Sequence, residues 1–285
     1  MSTRIVSWNV KEFGKQRETN TPAKIRTRVR KIAQLVRDQA PDIIGILEVE
    51  SFDILSFMQD EFPNFDFGVT DGPKNNKEIL VGWRRGEFDQ AVFTQKRQFD
   101  LYNPYLRPGA LLSISRNSSW LNVLFLHTDS GTEAKDFGNR YEMVDKIWKL
   151  RKALDKKTPN KPENLIVLGD LNTMGLHFPY RRKSHYLVDG PKEIDALVQY
   201  AVKNGMKVLE KSHNETWASS SKNMTSDLDH AIVSEHLTFD AIANNAVGDP
   251  VAVSVIGWVD KTSAQRTKFV EEMSDHCAIC LSVDF

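Results

Sequence analysis

Six short apolar runs, each bounded at one end by a polar residue that a buried strand would not normally carry, constrain this chain most. Ile5-Val6-Ser7-Trp8 runs into Asn9, Ile43–Leu47 into Glu48, Val123–Leu126 into His127, and Leu165–Leu168 through Gly169 into Asp170. Two runs are reversed: Asp229-His230 opens Ala231–Val233, and Asp275-His276 opens Cys277–Leu281. Short apolar runs of this kind read as strands buried on both faces. In a sheet with antiparallel neighbours, opposite strand ends share one rim, so all six polar groups can converge there. Burying such groups without partners is costly, and six repetitions make a chance arrangement untenable. The rim is the expected site.

The run around Gly169 is the most telling. Gly169 lets the backbone turn tightly out of the sheet, so that Asp170 and Asn172, two apart, face one point in space. A carboxylate beside an amide there suits metal-assisted chemistry on an anionic substrate better than packing. His230, next to Asp229, points to the opposite sheet face and reads as structural. Asn139-Arg140 reads as a pair that binds backbone or a nearby carboxylate, outside the chemistry.

Between these runs the chain alternates strands and helices without repeats. Strands are expected at 4–8, 43–48, 65–69, 78–83, 90–94, 110–115, 121–127, 164–169, 228–233 and 277–283, and helices at 22–38, 51–60, 134–155 and 192–204. Thr21-Pro22 reads as an N-cap followed by proline at the first helical position. Ile25, Val29, Ile32 and Val36 then line one helix face, and Tyr141, Val144, Ile147, Trp148 and Leu154 line a face of the third helix. Residues 155–162 form a solvated loop with site strands on both sides, so 1–285 reads as a single domain. A polar stretch at 212–228, with Thr216-Trp217 and a serine run, reads as a flexible rim.

At 285 residues the chain can bury a substantial core, and no segment approaches the ~20 apolar residues of a membrane span. The N-terminus enters a strand at once, without a signal-peptide pattern. The two cysteines, Cys277 and Cys280, lie in an apolar strand without a second pair and read as buried reduced thiols. A cytoplasmic protein is expected. Formal net charge is zero, so any affinity for a polyanion must come from how charge is distributed. Lys24, Arg26, Arg28, Arg30, Lys31 and Arg37 read as the solvated side of the first helix. Arg181-Arg182-Lys183, within a dozen residues of Asn172, reads as a phosphate-backbone contact. Lys261–Lys268 reads as a third basic loop, preceded by Trp258, which could stack on a base or fill the core.

Taken in order, Trp8-Asn9, Glu48, His127, Gly169-Asp170-Leu171-Asn172, Asp229 and Ser274-Asp275-His276 resemble the motifs of the endonuclease/exonuclease/phosphatase superfamily, over essentially the whole chain. The resemblance implies a deoxyribonuclease I-like α/β fold: a four-layered sandwich of two packed mixed β-sheets flanked by helices. Two matches lean toward the deoxyribonuclease I branch. Lys77-Glu78 opens a strand where that enzyme has a Glu partnering its first catalytic His, and Arg107-Pro108 opens another where it has a phosphate-contacting Arg. Leu47 departs from the family's usual Gln before the metal-binding Glu. The paired cysteines of the secreted enzymes are absent.

What the resemblance implies is a Mg²⁺ ion, with Mn²⁺ as the alternative, on Glu48 and Asn9, with Asp275 as a third ligand. His276 is expected at the attacking water with Asp229 fixing its tautomer. Asp170 and Asn172 would orient water and phosphate, His127 paired with Glu78 would sit across the phosphate, and Arg107 would complement its charge. The leading expectation is a metal-dependent nuclease, DNA ahead of RNA, with no membrane partner. The alternative is a phosphatase or phosphodiesterase for inositol, lipid or nucleotide phosphate esters. Thr225-Ser226-Asp227-Leu228 lacks the Trp-Cys-Asp-Arg segment of the inositol 5-phosphatases, and no apolar hairpin suggests a sphingomyelinase. A catalytically silent scaffold ranks last, because every core polar residue is retained.

Overall fold

Two parallel joints, one in each sheet, decide where the polar strand ends meet. Thr3–Phe13 pairs in parallel with Ile43–Val49, and Ser119–His127 with Asn164–Asp170. The other pairings inside both large sheets are antiparallel. Asp229–Ser234 therefore runs against Asn164–Asp170, and Ala278–Asp284 against Thr3–Phe13, which brings their N-terminal ends to the same rim as the others' C-terminal ends. Register does the rest. Asp170 lies opposite His127 on one side and Asp229 on the other, while Asn9 lies opposite Leu47, beside Glu48.

The structure is a computed structural model that describes residues 2–15, 21–72, 77–103, 105–157, 162–180, 184–219 and 224–285. Across the first sheet the strands are Thr238–Phe239, Ala278–Asp284, Thr3–Phe13, Ile43–Val49, Glu78–Arg84 and Phe65–Val69, with Val253–Ile256 also on Ala278–Asp284. Across the second they are Met206–Val208, Asp229–Ser234, Asn164–Asp170, Ser119–His127, Gly109–Arg116 and Gln90–Lys96. Inward-facing residues of both sheets form one continuous core, which also takes in the buried faces of helices Pro22–Arg37 and Asp53–Glu61. A second core lies between the other sheet and helices Ala134–Asp155 and Gly190–Lys203. The result is the expected four-layered α/β-sandwich. The sheets approach closely where the Phe125 ring fills the space that a Cβ on Gly45 would need.

Element types follow the sequence closely, and the differences have local causes. Strand Thr3–Phe13 continues past Trp8 through a register shift between Asn9 and Phe13. The antiparallel pair Leu176–Tyr180 with Ser184–Val188, and the strands Met206–Val208 and Val253–Ile256, are short and not among the strands expected from sequence. Lys261–Lys268 is not a loop: Ser263–Glu272 is a helix, opened by a capping box between Thr262 and Gln265. Trp258 fills the core beneath it, its indole N–H donating to the Asp275 carbonyl at 3.1 Å and Arg266 stacked on its ring. On the third helix Tyr141 is exposed; Met143, Ile147 and Trp148 make the buried face instead. Nor is 212–228 a flexible rim throughout, since Trp217–Ala218 pairs with Thr225–Ser226.

Several of the remaining readings agree with the structure. Ile25, Val29, Ile32 and Val36 are buried, and Thr21 caps their helix. The basic side of that helix is largely ion-paired, Arg26 with Asp60, Lys31 with Glu272, and Arg30 and Arg37 with Glu61. Arg28 is the exception, turned inward onto the carbonyls of Lys11 and Met273. Arg140 is buried against Gly131, Gly175 and Glu193, and Asn139 bonds Asp129. Cys277 and Cys280 are free buried thiols, pushed up by that burial to about 12 and about 11. No helix among the described residues is long and apolar enough to cross a membrane.

Gly169 is required twice over. Its φ is +139°, and a Cβ there would lie 2.0 Å from the Leu126 carbonyl oxygen of the parallel neighbour. The three nearest atoms are all Leu126 backbone, which cannot swing aside as a side chain could. Gly169→Ala is expected to lower unfolding free energy by about 2–4 kcal/mol, read from the urea midpoint. An unchanged midpoint would mean the two strands can separate at this point without penalty.

Candidate active site

Short side-chain contacts at the rim span the two sheets. Asp229 Oδ2, on the second sheet, lies 2.8 Å from Nδ1 of His276, which leads into the last strand of the first. Asn9 Nδ2, on the first sheet, donates to Asp170 Oδ2 on the second at 2.8 Å, and is 3.5 Å from His276 Nε2. His127 Nε2 is 3.5 Å from Asp170 Oδ2 and 3.7 Å from Glu48 Oε1. Ser274 ties the ensemble from behind: its hydroxyl donates to the Asn9 carbonyl at 2.7 Å and accepts the His276 amide at 3.1 Å.

Local backbone distortions aim two of these side chains. Glu48 has φ +63° and sits in a register shift between Ile46 and Val49, a bulge that turns its carboxylate to the rim. Asn172 has φ +47°, held by its amide donating to Asp170 Oδ1 at 3.0 Å and its side chain donating to the Thr128 carbonyl at 3.2 Å. Non-glycine residues in this region cost free energy, and such outliers gather at functional sites.

Charge in the site is finely set. Burial pulls the His276 imidazolium down, but Asp229 and Asp170 outweigh it and raise its pKa to about 10. Burial raises the Asp170 carboxyl, with Asp229 adding to the rise against His276, to about 7. Burial and the Arg107 guanidinium hold His127 well below the ordinary imidazole value, so it is neutral. Burial alone would raise the Glu48 carboxyl, yet His127 and Lys77 hold it well below the usual range. With His127 neutral, that effect falls chiefly to the Lys77 ammonium at 2.8 Å and the Glu12 amide at 3.0 Å.

Among the described residues, five buried side-chain polar atoms lack a hydrogen-bond partner, and four belong to this site: Asn9 Oδ1, Arg107 Nε, His127 Nδ1 and Thr128 Oγ1. Buried polar groups are almost always satisfied, so a cluster of orphans marks where something polar is received. Asn9 Oδ1 beside the ionised Glu48 is an all-oxygen donor pair of the kind a hard divalent cation takes. These residues fit a divalent metal ion. Asp170, Asp229 and His276 also bring ligand atoms within 4.8 Å of one another, but the Asp229–His276 hydrogen bond already occupies one edge of that trio.

Two expected contacts differ from those the structure shows, and one cluster is not described. Asp275 does not turn to Glu48: its Oδ2 accepts from Lys11 Nζ at 2.8 Å and Trp217 Nε1 at 3.2 Å, so this geometry does not support it as a third metal ligand. Glu78 does not pair with His127: it accepts from Thr70 Oγ1 at 2.5 Å and the Gly72 amide at 2.9 Å, because the neighbouring strand ends on that hydroxyl. Arg181, Arg182 and Lys183 lie outside the described residues. Arg107 is at the site as expected, buried, with Nη1 on the Thr128 carbonyl at 3.3 Å. His230 is structural in its contacts, 2.9 Å from Thr173 Oγ1.

Lys11 and Thr128 were not singled out from sequence, and Lys77 only as the neighbour of Glu78. Nothing local marks the two lysines, whose partners are 264 and 29 residues away. Thr128 follows His127 directly, and its carbonyl gathers both Arg107 and Asn172.

A profile of the Endonuclease/Exonuclease/phosphatase family matches residues 6–276. No curated protein sequence is significantly similar to the chain. Solved structures of similar fold include TDP2 of D. rerio complexed with single strand DNA product, at TM-score 0.60 and 17% identity, covering 100% of this chain and 99% of that one. A Bacteroides thetaiotaomicron endonuclease/exonuclease/phosphatase family protein superposes at TM-score 0.63 and 16% identity, with 99% and 95% covered. The mannosyl-6-phosphatase of Bacteroides thetaiotaomicron VPI-5482 does so at 0.60 and 16%, with 99% and 100% covered. At these identities the likeness is one of fold.

The Asp229–His276 contact makes a direct forecast. If the carboxylate and imidazole act as one unit, Asp229→Asn and His276→Ala each lower phosphoester hydrolysis by on the order of 10²–10⁴, and the double variant is no worse than either. The acid limb of the Asp229→Asn pH–rate profile moves to lower pH, because the charge that raises the imidazole pKa is gone. A double variant showing the product of the two losses would separate the residues.

Proposed function

This chain belongs to the Endonuclease/Exonuclease/phosphatase family, and from that premise we propose that it is a Mg²⁺-dependent phosphodiesterase acting on nucleic acid, DNA ahead of RNA. The observation that carries the reading is the cluster of orphaned polar atoms, with acceptor Asn9 Oδ1 on the first sheet and donor Arg107 Nε on the second. An acceptor and a cationic donor left open in one site suit a cation and a phosphoryl group together. The balance of charge favours a diester. Glu48 and Asp170 lie in the field of Arg107, while Lys11 and Lys77 are tied to Asp275 and Glu48. A monoanionic diester is accommodated by such a site with less repulsion than a dianionic monoester.

In this reading Glu48 and Asn9 would hold a divalent ion, which would supply Lewis acidity and leaving-group stabilisation there. His276 holds the proton of the attacking water at Nε2. Asp229 accepts Nδ1–H and so fixes the tautomer that leaves Nε2 free as the acceptor. With its pKa raised to about 10 by Asp229 and Asp170, His276 is a strong base once its Nε2 has lost its own proton. Asp170 and the Asn172 amide orient water and phosphate. Neutral His127 offers a ring nitrogen to a phosphoryl oxygen, and Arg107 meets charge growing in the transition state. Glu78, held on Thr70 and Gly72, acts through the field it sets at Arg107. The fold shared with a TDP2 bound to single strand DNA product supports a polymer substrate. Arg181, Arg182 and Lys183 are the residues proposed to follow its backbone.

A small phosphate ester is the second reading, favoured by the equally close likeness to a mannosyl-6-phosphatase. One comparison decides. Supercoiled plasmid is expected to be nicked in Mg²⁺ and left intact in EDTA, with Glu48→Gln reducing nicking by orders of magnitude. Replacing the basic triplet with Ala is expected to flatten the salt dependence of DNA binding by up to about three phosphate contacts. Phosphate release from mannose 6-phosphate or an inositol phosphate, with DNA and RNA untouched, would replace this reading with the second.

A further inference from the structure

Under the backbone of Asp229 lies a buried charged network that the reaction above does not use. The Lys211 side chain is 5% exposed, and its ammonium donates to the Asp227 carboxylate and, at 2.7 Å, to the Asp229 carbonyl. From the other side the Thr216 hydroxyl accepts the amides of Leu228 and Asp229 at 3.1 and 3.0 Å. Thr216 offers its carbonyl to the Cys277 amide at 2.7 Å, and Ala218 donates to the Asp275 carbonyl at 2.9 Å. Segment 211–218 thus grips Asp229 by amide and carbonyl and grips the residues on either side of His276. A further tie comes from Thr173, whose hydroxyl donates to the Asp227 carbonyl at 2.6 Å. That hydrogen is then spent, so His230 Nε2, 2.9 Å away, must be the donor in its contact with Thr173.

Packing does not call for a lysine here. Burying an ammonium is costly, and replacing a buried ion pair by apolar groups is often neutral or stabilising. What the pair supplies is a fixed direction: the ammonium clamps the Asp229 carbonyl to a second carboxylate two residues earlier, where the chain enters the strand.

We propose that Lys211 is a positioning residue of the reaction, which together with Asp227 fixes the backbone of Asp229 so that its carboxylate meets His276 Nδ1 at hydrogen-bonding distance. The inference rests on the reading of Asp229 and His276 as the proton-handling pair. It is tested with Lys211→Met and, because that change strands a half-buried carboxylate, with the neutral pair Lys211→Met/Asp227→Asn. With bis-p-nitrophenyl phosphate and Mg²⁺, kcat is expected to fall about ten- to a hundredfold with KM unchanged. The loss should vanish when Asp229 is already Asn, since the clamp then has no carboxylate to aim. A second readout needs no turnover. The downfield proton NMR signal of His276 Nδ1–H, identified by its loss in His276→Ala, is expected to shift or broaden in the neutral pair. An unshifted signal with unchanged kcat, or losses that multiply with Asp229→Asn, would overturn the proposal and leave Lys211 a merely structural ion pair. A wild type that hydrolyses no phosphoester would overturn the functional reading, and the NMR signal would then decide the clamp by itself.

Discussion

The 2.8 Å contact between Asp229 and His276 is the point on which the arrangement turns, because each partner belongs to a different sheet. Two sheets held only by apolar packing could slide by part of a side chain at small cost. A buried carboxylate and imidazole cannot, since each would be left unpaired. Asn9 on Asp170 repeats the constraint a short distance away, and Ser274 closes it from behind. The spacing of the sheets, set by contacts such as Phe125 over Gly45, is thereby also the spacing of the reacting groups.

Much of this was legible in the chain because strand ends are punctuated. Apolar runs that stop on Asn9, Glu48, His127 and Asp170, or start on Asp229 and Asp275, gave both the strands and the rim, and the antiparallel joints needed to unite them follow from the two reversed runs. Helix 134–155 was readable to the residue. The Thr262-x-x-Gln265 capping box was present in the sequence but masked by the basic residues around it, and its helix passed as a loop. Which face Tyr141 takes could not be read, because Met143 and Ile147 fit a helical stripe equally well.

Within the site, residue identity was easier to read than pairing. Glu78 and Asp275 are at the rim, yet their partners are Thr70 with Gly72 and Lys11 with Trp217. Asp275's partners lie 264 and 58 residues away, and although those of Glu78 are 8 and 6 residues off, no hydrophobic pattern encodes either choice. Lys211 illustrates the same limit. It occupies an unremarkable polar stretch, and only the folded chain shows its ammonium beneath Asp229. Charge on the first helix was read as solvated; the acidic residues that balance it lie on Asp53–Glu61 and near Glu272, outside any local window.

The left-handed backbone at Glu48 and Asn172 has a consequence for anyone altering this protein. Glycine adopts those angles without penalty, so glycine at either position would relax the chain while deleting a group that the site needs. Stability and function pull in opposite directions at these two positions. A screen that rewards only heat resistance would drift toward an inert, sturdier sandwich, whereas a screen for turnover would keep both residues and accept the weaker fold.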